Sequence, residues 1–382
     1  MTAFTPTSSE EVLNVSPPGP TNLRTTLIVL LSILSAVGQG VFLPLFEASF
    51  AKGDGGVYYV LFVSALAFNF IYWPLSFYDF FVEKSLTLAM IKHKPYMLFL
   101  LGFCGALNGL LVVYAASLSR TPGDLQALLG QVYIPFTLIF SRLFLKKRYS
   151  GAQLYGAFVV IVGVLISLMP LFLSFFDDAS SLTSLTSSNI IWSCVFVLAF
   201  VPGTLMNIIE EEIFKEFKTF NVNYMLAQES LYQFLTVMAL FWTDCIPGFG
   251  THANIKDWWE SFMFSFQCTF APWTLEFVGN CDYSLMYGLL FTMSYVSSYT
   301  TSALLVKTTS ANTVAIIGSI PPSLVLFFWA AFPSLYAWAG GSPYTWVDIL
   351  FSFMSLLVVI PGALMFRLFE ASSKKDKYLE LN

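Results

Sequence analysis

Charge is what this sequence has least of. Asp, Glu, Lys and Arg together make 11% of its 382 residues, against roughly a quarter in soluble globular proteins. With 57% apolar residues and 40 Phe, too little polar material is left to cover a water-soluble surface. Histidine occurs only as His93 and His252, in different predicted loops, and no group of His, Cys, Asp or Glu has metal-ligand spacing. Neither a glycine loop for phosphate nor a nucleophile elbow is present. No metal site, cofactor or catalytic residue is therefore nominated, and the expectation is a protein that is not an enzyme. No Lys or Arg stands in the middle of an apolar stretch; Arg142 and Arg367 lie near ends, where long side chains reach the interface. A pocket for phosphorylated ligands normally supplies fixed positive charge. Its absence disfavours nucleotide sugars and sugar phosphates and suits zwitterions and organic cations.

A targeting segment is also missing. Residues 1–24 are rich in Thr, Ser and Pro, include Glu10 and Glu11, and hold one Arg. They lack the apolar core of a secretory signal and the basic bias of a transit peptide. The expectation is a disordered tail, followed by a membrane domain over 25–370 and a second tail over 371–382.

What is present is a series of ten apolar stretches, near 25–46, 57–79, 96–117, 123–145, 152–174, 189–209, 224–244, 283–305, 309–333 and 344–368. Each approaches the roughly 20 residues needed to cross a bilayer. With ten crossings, all of the 18 Lys and Arg except Lys52, Arg120 and Lys256 fall on one side. The positive-inside rule makes that side, with both termini, cytosolic. Residues 253–270 are a rival eleventh crossing, but counting them would split the basic residues ten against eight. Ile255, Trp258, Trp259, Phe262, Met263 and Phe266 recur at helical spacing beside Lys256, Asp257 and Glu260. An amphipathic helix on the non-cytosolic surface, within a loop over 244–282, is expected instead. Cys268 and Cys281 lie in that loop on the oxidising side, where a disulfide is favoured over free thiols. Cys104 and Cys194 are expected as apolar packing residues, and Cys245 is left open.

Ten helices divide into two halves of five, and an odd number per half inverts the second copy in the membrane. Gly130 precedes Pro135 in the fourth helix of one half, and Gly318 precedes Pro321 and Pro322 in the fourth of the other. Kinks are expected at these prolines, although Gly and Pro are common in membrane helices generally.

An ionisable residue well inside a membrane helix costs about 2.5–3.5 kcal/mol on insertion scales and usually has a function. Glu229 is the leading candidate, with Gln233 one turn away on the same face. Its expected role is to take up and release a proton; the plainer alternative is a solvated position near the helix end. With it the expected cavity residues are Asn108, Gln126, Gln131, Gln233, Ser294, Ser297, Ser298 and Asn312, although Ser and Thr in membranes more often bond between helices. The run Glu210-Glu211-Glu212 has the composition of a solvated helix end, but Glu211 can pair with Lys215 at i, i+4 as a gate.

Taken together, Gly123-Asp124-Leu125-Gln126, Gln131, Ile134-Pro135, Arg148-Tyr149, Glu211 with Phe214-Lys215, and the loop cysteines resemble the chloroquine-resistance-transporter-like (CRT-like) family of the drug/metabolite transporter superfamily. The resemblance implies an all-α, ten-helix 5+5 inverted-repeat carrier working by alternating access in a vacuolar or endolysosomal membrane, or less favourably a plastid envelope. It implies export of amino acids, small peptides, thiols and cationic drugs, often with protons. Gln126, Gln131 and Pro135 would then belong to the cavity helix, Glu211 to the cytosolic gate, and Cys268 with Cys281 to a lumenal cap. Two departures stand out. The loop has fewer cysteines than the four of some relatives, and Ser297 occupies a position where some members carry an acid.

Tyr378-Leu379-Glu380-Leu381 has the form read by endosomal sorting adaptors, a four-residue match that also arises by chance. The expected partners are a small-molecule substrate, protons, lipid and such an adaptor, with no nucleic acid. A nucleotide-sugar exchanger of the same superfamily and a receptor or scaffold that moves nothing are the alternatives. A scaffold requires a packed interior, whereas a carrier requires a cavity.

Overall fold

The computed structural model describes residues 23–50, 56–92, 94–115, 120–121, 129–167, 169, 187–275, 281–340 and 345–379. Gln126, most of the N-terminal tail, Glu380 and Leu381 lie outside these, and Tyr378 is described only as a member of the last helix. Among the described residues the regular elements are all helical: α1 Leu23–Phe50, α2 Val57–Phe81, α3 Leu88–Ile91, α4 Pro95–Ala115, α5 Tyr133–Leu143, α6 Gly151–Ser167, α7 Ser187–Glu216, α8 Val222–Ala239, α9 Ile255–Phe270, α10 Ser284–Thr308, α11 Ala311–Ile317, α12 Pro321–Ala331, α13 Pro333–Trp338 and α14 Trp346–Leu379. Helices dominate because a chain this apolar can satisfy its backbone in lipid only internally.

Among the described residues, seven segments are long and apolar enough to cross a membrane, within α1, α2, α4, α7, α10, α11–α12 and α14. The chain is thus an integral membrane protein. The described parts of two expected crossings, α5 and α6, are shorter apolar helices. The 18-residue α8 falls short in hydropathy because Gln228, Glu229 and Gln233 occupy its middle. Those polar groups are tolerated because α8 is packed between α2 and α4.

The proline kinks expected in the two fourth helices take a different form. Residues 129–130 are helical, 131–132 form a turn, and the helix restarts at Tyr133, so Pro135 sits in a first turn. Likewise α11 stops at Ile317, residues 318–320 turn, and Pro321 and Pro322 open α12. A proline in a first turn lacks an N–H that has no helical partner anyway. These helices are therefore interrupted rather than bent.

Five pairings dominate the packing: α1 with α10, α4 with α7, α6 with α14, and α8 with both α2 and α4. Glycine permits the closest of these. A Cβ on Gly102 of α4 would stand 2.5 Å from the Glu229 carbonyl oxygen and 2.6 Å from the Tyr232 Cβ of α8.

The expected surface helix is α9. Asn254 caps it, its side chain accepting the Asp257 N–H at 3.0 Å. Ser261, Ser265, Cys268 and Thr269 face inward, while Ile255, Trp259, Phe266 and Phe270 are exposed. Trp258 and Phe262 pack on Tyr58, Tyr59 and Phe62 of α2. A disulfide joins Cys268 to Cys281, with Cα atoms 4.9 Å apart, and ties the end of α9 to the start of α10.

Candidate functional site

A cavity of about 410 Å³ lies where α1, α4, α7, α10 and the two interrupted helices converge, within the range typical of small-molecule sites. Helical periodicity explains what α7 contributes. Gly203, Met206, Asn207 and Glu210 recur at three- and four-residue steps and line one wall. Gly203 has no side chain to hold off Asn108 of α4; a Cβ there would be 2.8 Å from its amide nitrogen. That amide instead donates to the Ala199 carbonyl at 2.8 Å. On α10, Tyr295, Ser298, Tyr299 and Ser302 share the cavity face. The Asn207 amide donates to the Tyr133 hydroxyl.

Of the expected cavity residues, Asn108, Gln131 and Ser298 border this space. Ser294 and Ser297 do not. They fall on the α10 face toward α1, where Ser297 Oγ accepts from Ser35 Oγ at 2.7 Å and Ser294 lies against Gly38. Reading the α10 serines as one set merged two faces of the helix. Asn312 is also elsewhere: its amide donates to Tyr149 Oη at 2.9 Å and its oxygen accepts from Ser141 Oγ at 3.2 Å. Glu229 and Gln233 are 1% exposed and do not border the cavity; they lie just behind it, around Gly105 of α4.

Glu210 is the residue that the sequence hid. It stands on the cavity wall with 2% exposure, not at a solvated helix end. The usable signal was its spacing of three from Asn207 and seven from Gly203, obscured by two more glutamates immediately after it. Gln39, Tyr133, Tyr295 and Tyr299 were likewise missed.

Several acceptors in the interior are unmet. Asn207 Oδ1, Glu210 Oε2, both carboxylate oxygens of Glu229 and Gln233 Oε1 are buried without a hydrogen-bond partner. An unmet buried acceptor costs about 1–3 kcal/mol, and more when charged. None of the described residues bordering the cavity is Lys, Arg or His.

Glu211, one residue on and about 100° around the helix, joins a separate cluster. Its carboxylate meets Lys147 Nζ at 2.6 Å and Lys215 Nζ at 2.8 Å, and accepts the Ala311 backbone N–H at 2.9 Å. Burial presses the Lys147 pKa below its ordinary range, opposed by the Glu211 charge. Thr313 Oγ1 bonds Glu370 Oε2 at 2.6 Å nearby. The connector after α5, α7, α11 and α14 are thus tied at one end of the bundle.

Residues 26–334 match the model of the CRT-like, chloroquine-resistance transporter-like, family. Crt homolog 1 of Dictyostelium discoideum is 32% identical over 56% of this chain and 43% of its own length. The chloroquine resistance transporter of Plasmodium falciparum is 27% identical over 55% of this chain and 47% of its own. The matched part therefore spans less than half of each of these relatives. A solved crystal structure superposes with a TM-score of 0.59 over 91% of this chain and 98% of that one, at 11% identity, a likeness of fold alone. A family match that runs from the first crossing into α13 places this chain in the CRT-like family.

Proposed function

We propose that the chain is a secondary carrier that exports small zwitterionic or cationic metabolites from an acidic lumen to the cytosol, with Glu229 taking up the accompanying proton. The observation that carries the reading is the cavity itself. Its largely apolar wall carries a few polar groups, Glu210 among them, and none of the described residues on it is Lys, Arg or His. Such a space suits a cargo that brings its own positive charge, and argues against both a scaffold with a packed interior and a carrier of phosphorylated cargo. Family membership favours transport, and the acidic compartment, the cytosolic termini and the adaptor motif at Tyr378 belong to the same proposal.

A ten-helix inverted repeat accounts for four of the five main pairings. Exchanging the two halves of five maps α4–α7 onto α1–α10 and leaves α6–α14 and α2–α8 in place, whereas α4–α8 maps onto the much slighter α2–α10 contact. The interruptions at 131–132 and 318–320 also correspond. On this reading the interrupted helices line the cavity, and Glu211 with Lys147, Lys215 and Ala311 closes its cytosolic end.

Reconstituted liposomes test the function. Uptake of radiolabelled amino acids, dipeptides and quinoline amines should increase severalfold when a proton gradient is imposed, and Glu229→Gln should remove that dependence before it removes binding. Flux of every one of these probes that is indifferent to the gradient refutes the coupling; flux of none refutes the carrier.

A further inference from the structure

The proton assigned to Glu229 leaves Glu210 without a task, yet the two carboxylates belong to one site. Glu210 borders the cavity from α7, and Glu229 sits behind it on α8, within range of its charge. Both are almost wholly buried, and the unmet acceptors around them include Gln233 Oε1 and Asn207 Oδ1. Titratable groups facing the pair are Tyr72 on α2, Cys104 on α4, Tyr133 on α5, and Tyr295 and Tyr299 on α10. None is a cation. Asp79, toward the far end of α2, is already held by the amides of Asn221 and Asn223. Among the described residues no positive charge faces the pair, so a counter-charge has to be brought by a ligand.

We propose that the two carboxylates divide the work, Glu210 anchoring the ammonium group of the cargo and Glu229 holding the proton that travels with it. Position assigns the roles. Glu210 is on the wall, where a molecule the size of an amino acid can reach it, whereas Glu229 has no cavity surface and is open to a ligand no larger than a proton. With a monoammonium cargo and one proton aboard, the pair is neutral, the condition under which two buried carboxylates are least costly in a membrane interior. The proton is taken up on the side where cargo enters and released with it on the other, so none is consumed. The inference rests on the carrier reading for the word cargo, but its test needs only binding.

The probes are leucinamide, which carries an ammonium group at neutral pH, and 4-methylpentanamide, the same skeleton without the amine. Each is titrated by calorimetry against the purified full chain in lipid nanodiscs. The unsubstituted chain should prefer leucinamide. Glu210→Gln should lose roughly thirtyfold or more of its leucinamide affinity, the usual scale for removing one partner of a buried charge pair, and leave the uncharged amide unchanged; Glu210→Asp should restore much of the preference. Glu229→Gln should keep the preference and lose its dependence on pH. Equal weakening of both probes by Glu210→Gln, failure of Glu210→Asp to recover preference while melting normally, loss of preference in Glu229→Gln, or no leucinamide binding to the unsubstituted chain each overturns the inference. A chain that discriminates as described but moves neither probe in liposomes keeps the inference and ends the carrier reading.

Discussion

Glu211 Oε2 lies 2.9 Å from the backbone nitrogen of Ala311, so a carboxylate near the end of α7 holds the first residue of α11. The same carboxylate is paired with two lysines of unequal burial, Lys147 at 17% and Lys215 at 48% side-chain exposure. The better buried partner sets the strength of the cluster. Lys147→Ala should lower unfolding free energy by about 1–3 kcal/mol, since Glu211 keeps Lys215 and the Ala311 N–H but loses a largely buried charged partner. Lys215→Ala should cost about 0–1 kcal/mol. Thermal unfolding in detergent checks the order, and equal losses from the two variants would contradict it.

Gly102 and Gly151 offer a contrast between two glycines on helices. A Cβ at Gly102 would push into the backbone of α8, whereas one at Gly151 meets nothing within 4 Å. Gly102→Ala is expected to destabilise by about 1–3 kcal/mol through overpacking. Gly151→Ala is expected to be neutral or slightly stabilising. Melting temperatures of the two variants settle the comparison; a harmless Gly102→Ala would mean that α4 and α8 are not held this close.

The Cys268–Cys281 disulfide closes a loop with a sequence separation of 13, for which chain-entropy arguments give about 3 kcal/mol. Cys268→Ser should therefore lower the melting temperature in oxidising buffer and make no difference once the unsubstituted chain is fully reduced. Mass spectrometry of the non-reduced native chain should recover the two cysteines in one cross-linked peptide. Two free thiols would remove the cap.

Cys245 makes no disulfide, and burial, with Asp244 and Asp257 nearby, raises its thiol pKa above the ordinary value. A raised pKa means less thiolate at neutral pH, hence slower alkylation than a model thiol and a rate that keeps increasing through the alkaline range. Iodoacetamide labelling followed by mass spectrometry against pH measures this. A rate already level at about pH 8.5, the unperturbed midpoint, would contradict it.

Much of the bundle was readable because a membrane leaves few alternatives: α1, α2, α4, α7, α10 and α14 begin within a few residues of where apolar runs begin. That residues 255–270 form a helix with Trp259 and Phe266 on its exposed face followed from their spacing. What hydropathy could not convey was direction around each helix. Ser297 and Ser298 are adjacent in sequence, yet one meets α1 and the other the cavity. Glu210 and Glu211 divide the same way, one into the cavity and one into a cluster at the bundle end. Polarity in sequence also overstates what a ligand meets. Thr204, Thr236, Thr300 and Thr301 bond back to carbonyls of their own helices.

Two contacts of the central helices differ in kind. α4 meets α8 with a glycine against main chain, a joint with no room to adjust. α2 meets α10 through rings, Phe68 packing at a tilt against Tyr295 and Tyr299 with centroids 4.7 and 4.9 Å away, and Tyr72 Oη donating to the Val296 carbonyl at 3.0 Å. Rings can turn and slide where backbones cannot, so the α2–α10 seam has a freedom of adjustment that the α4–α8 seam lacks. Tyr295 and Tyr299 also line the cavity, so the looser of the two seams is part of its wall.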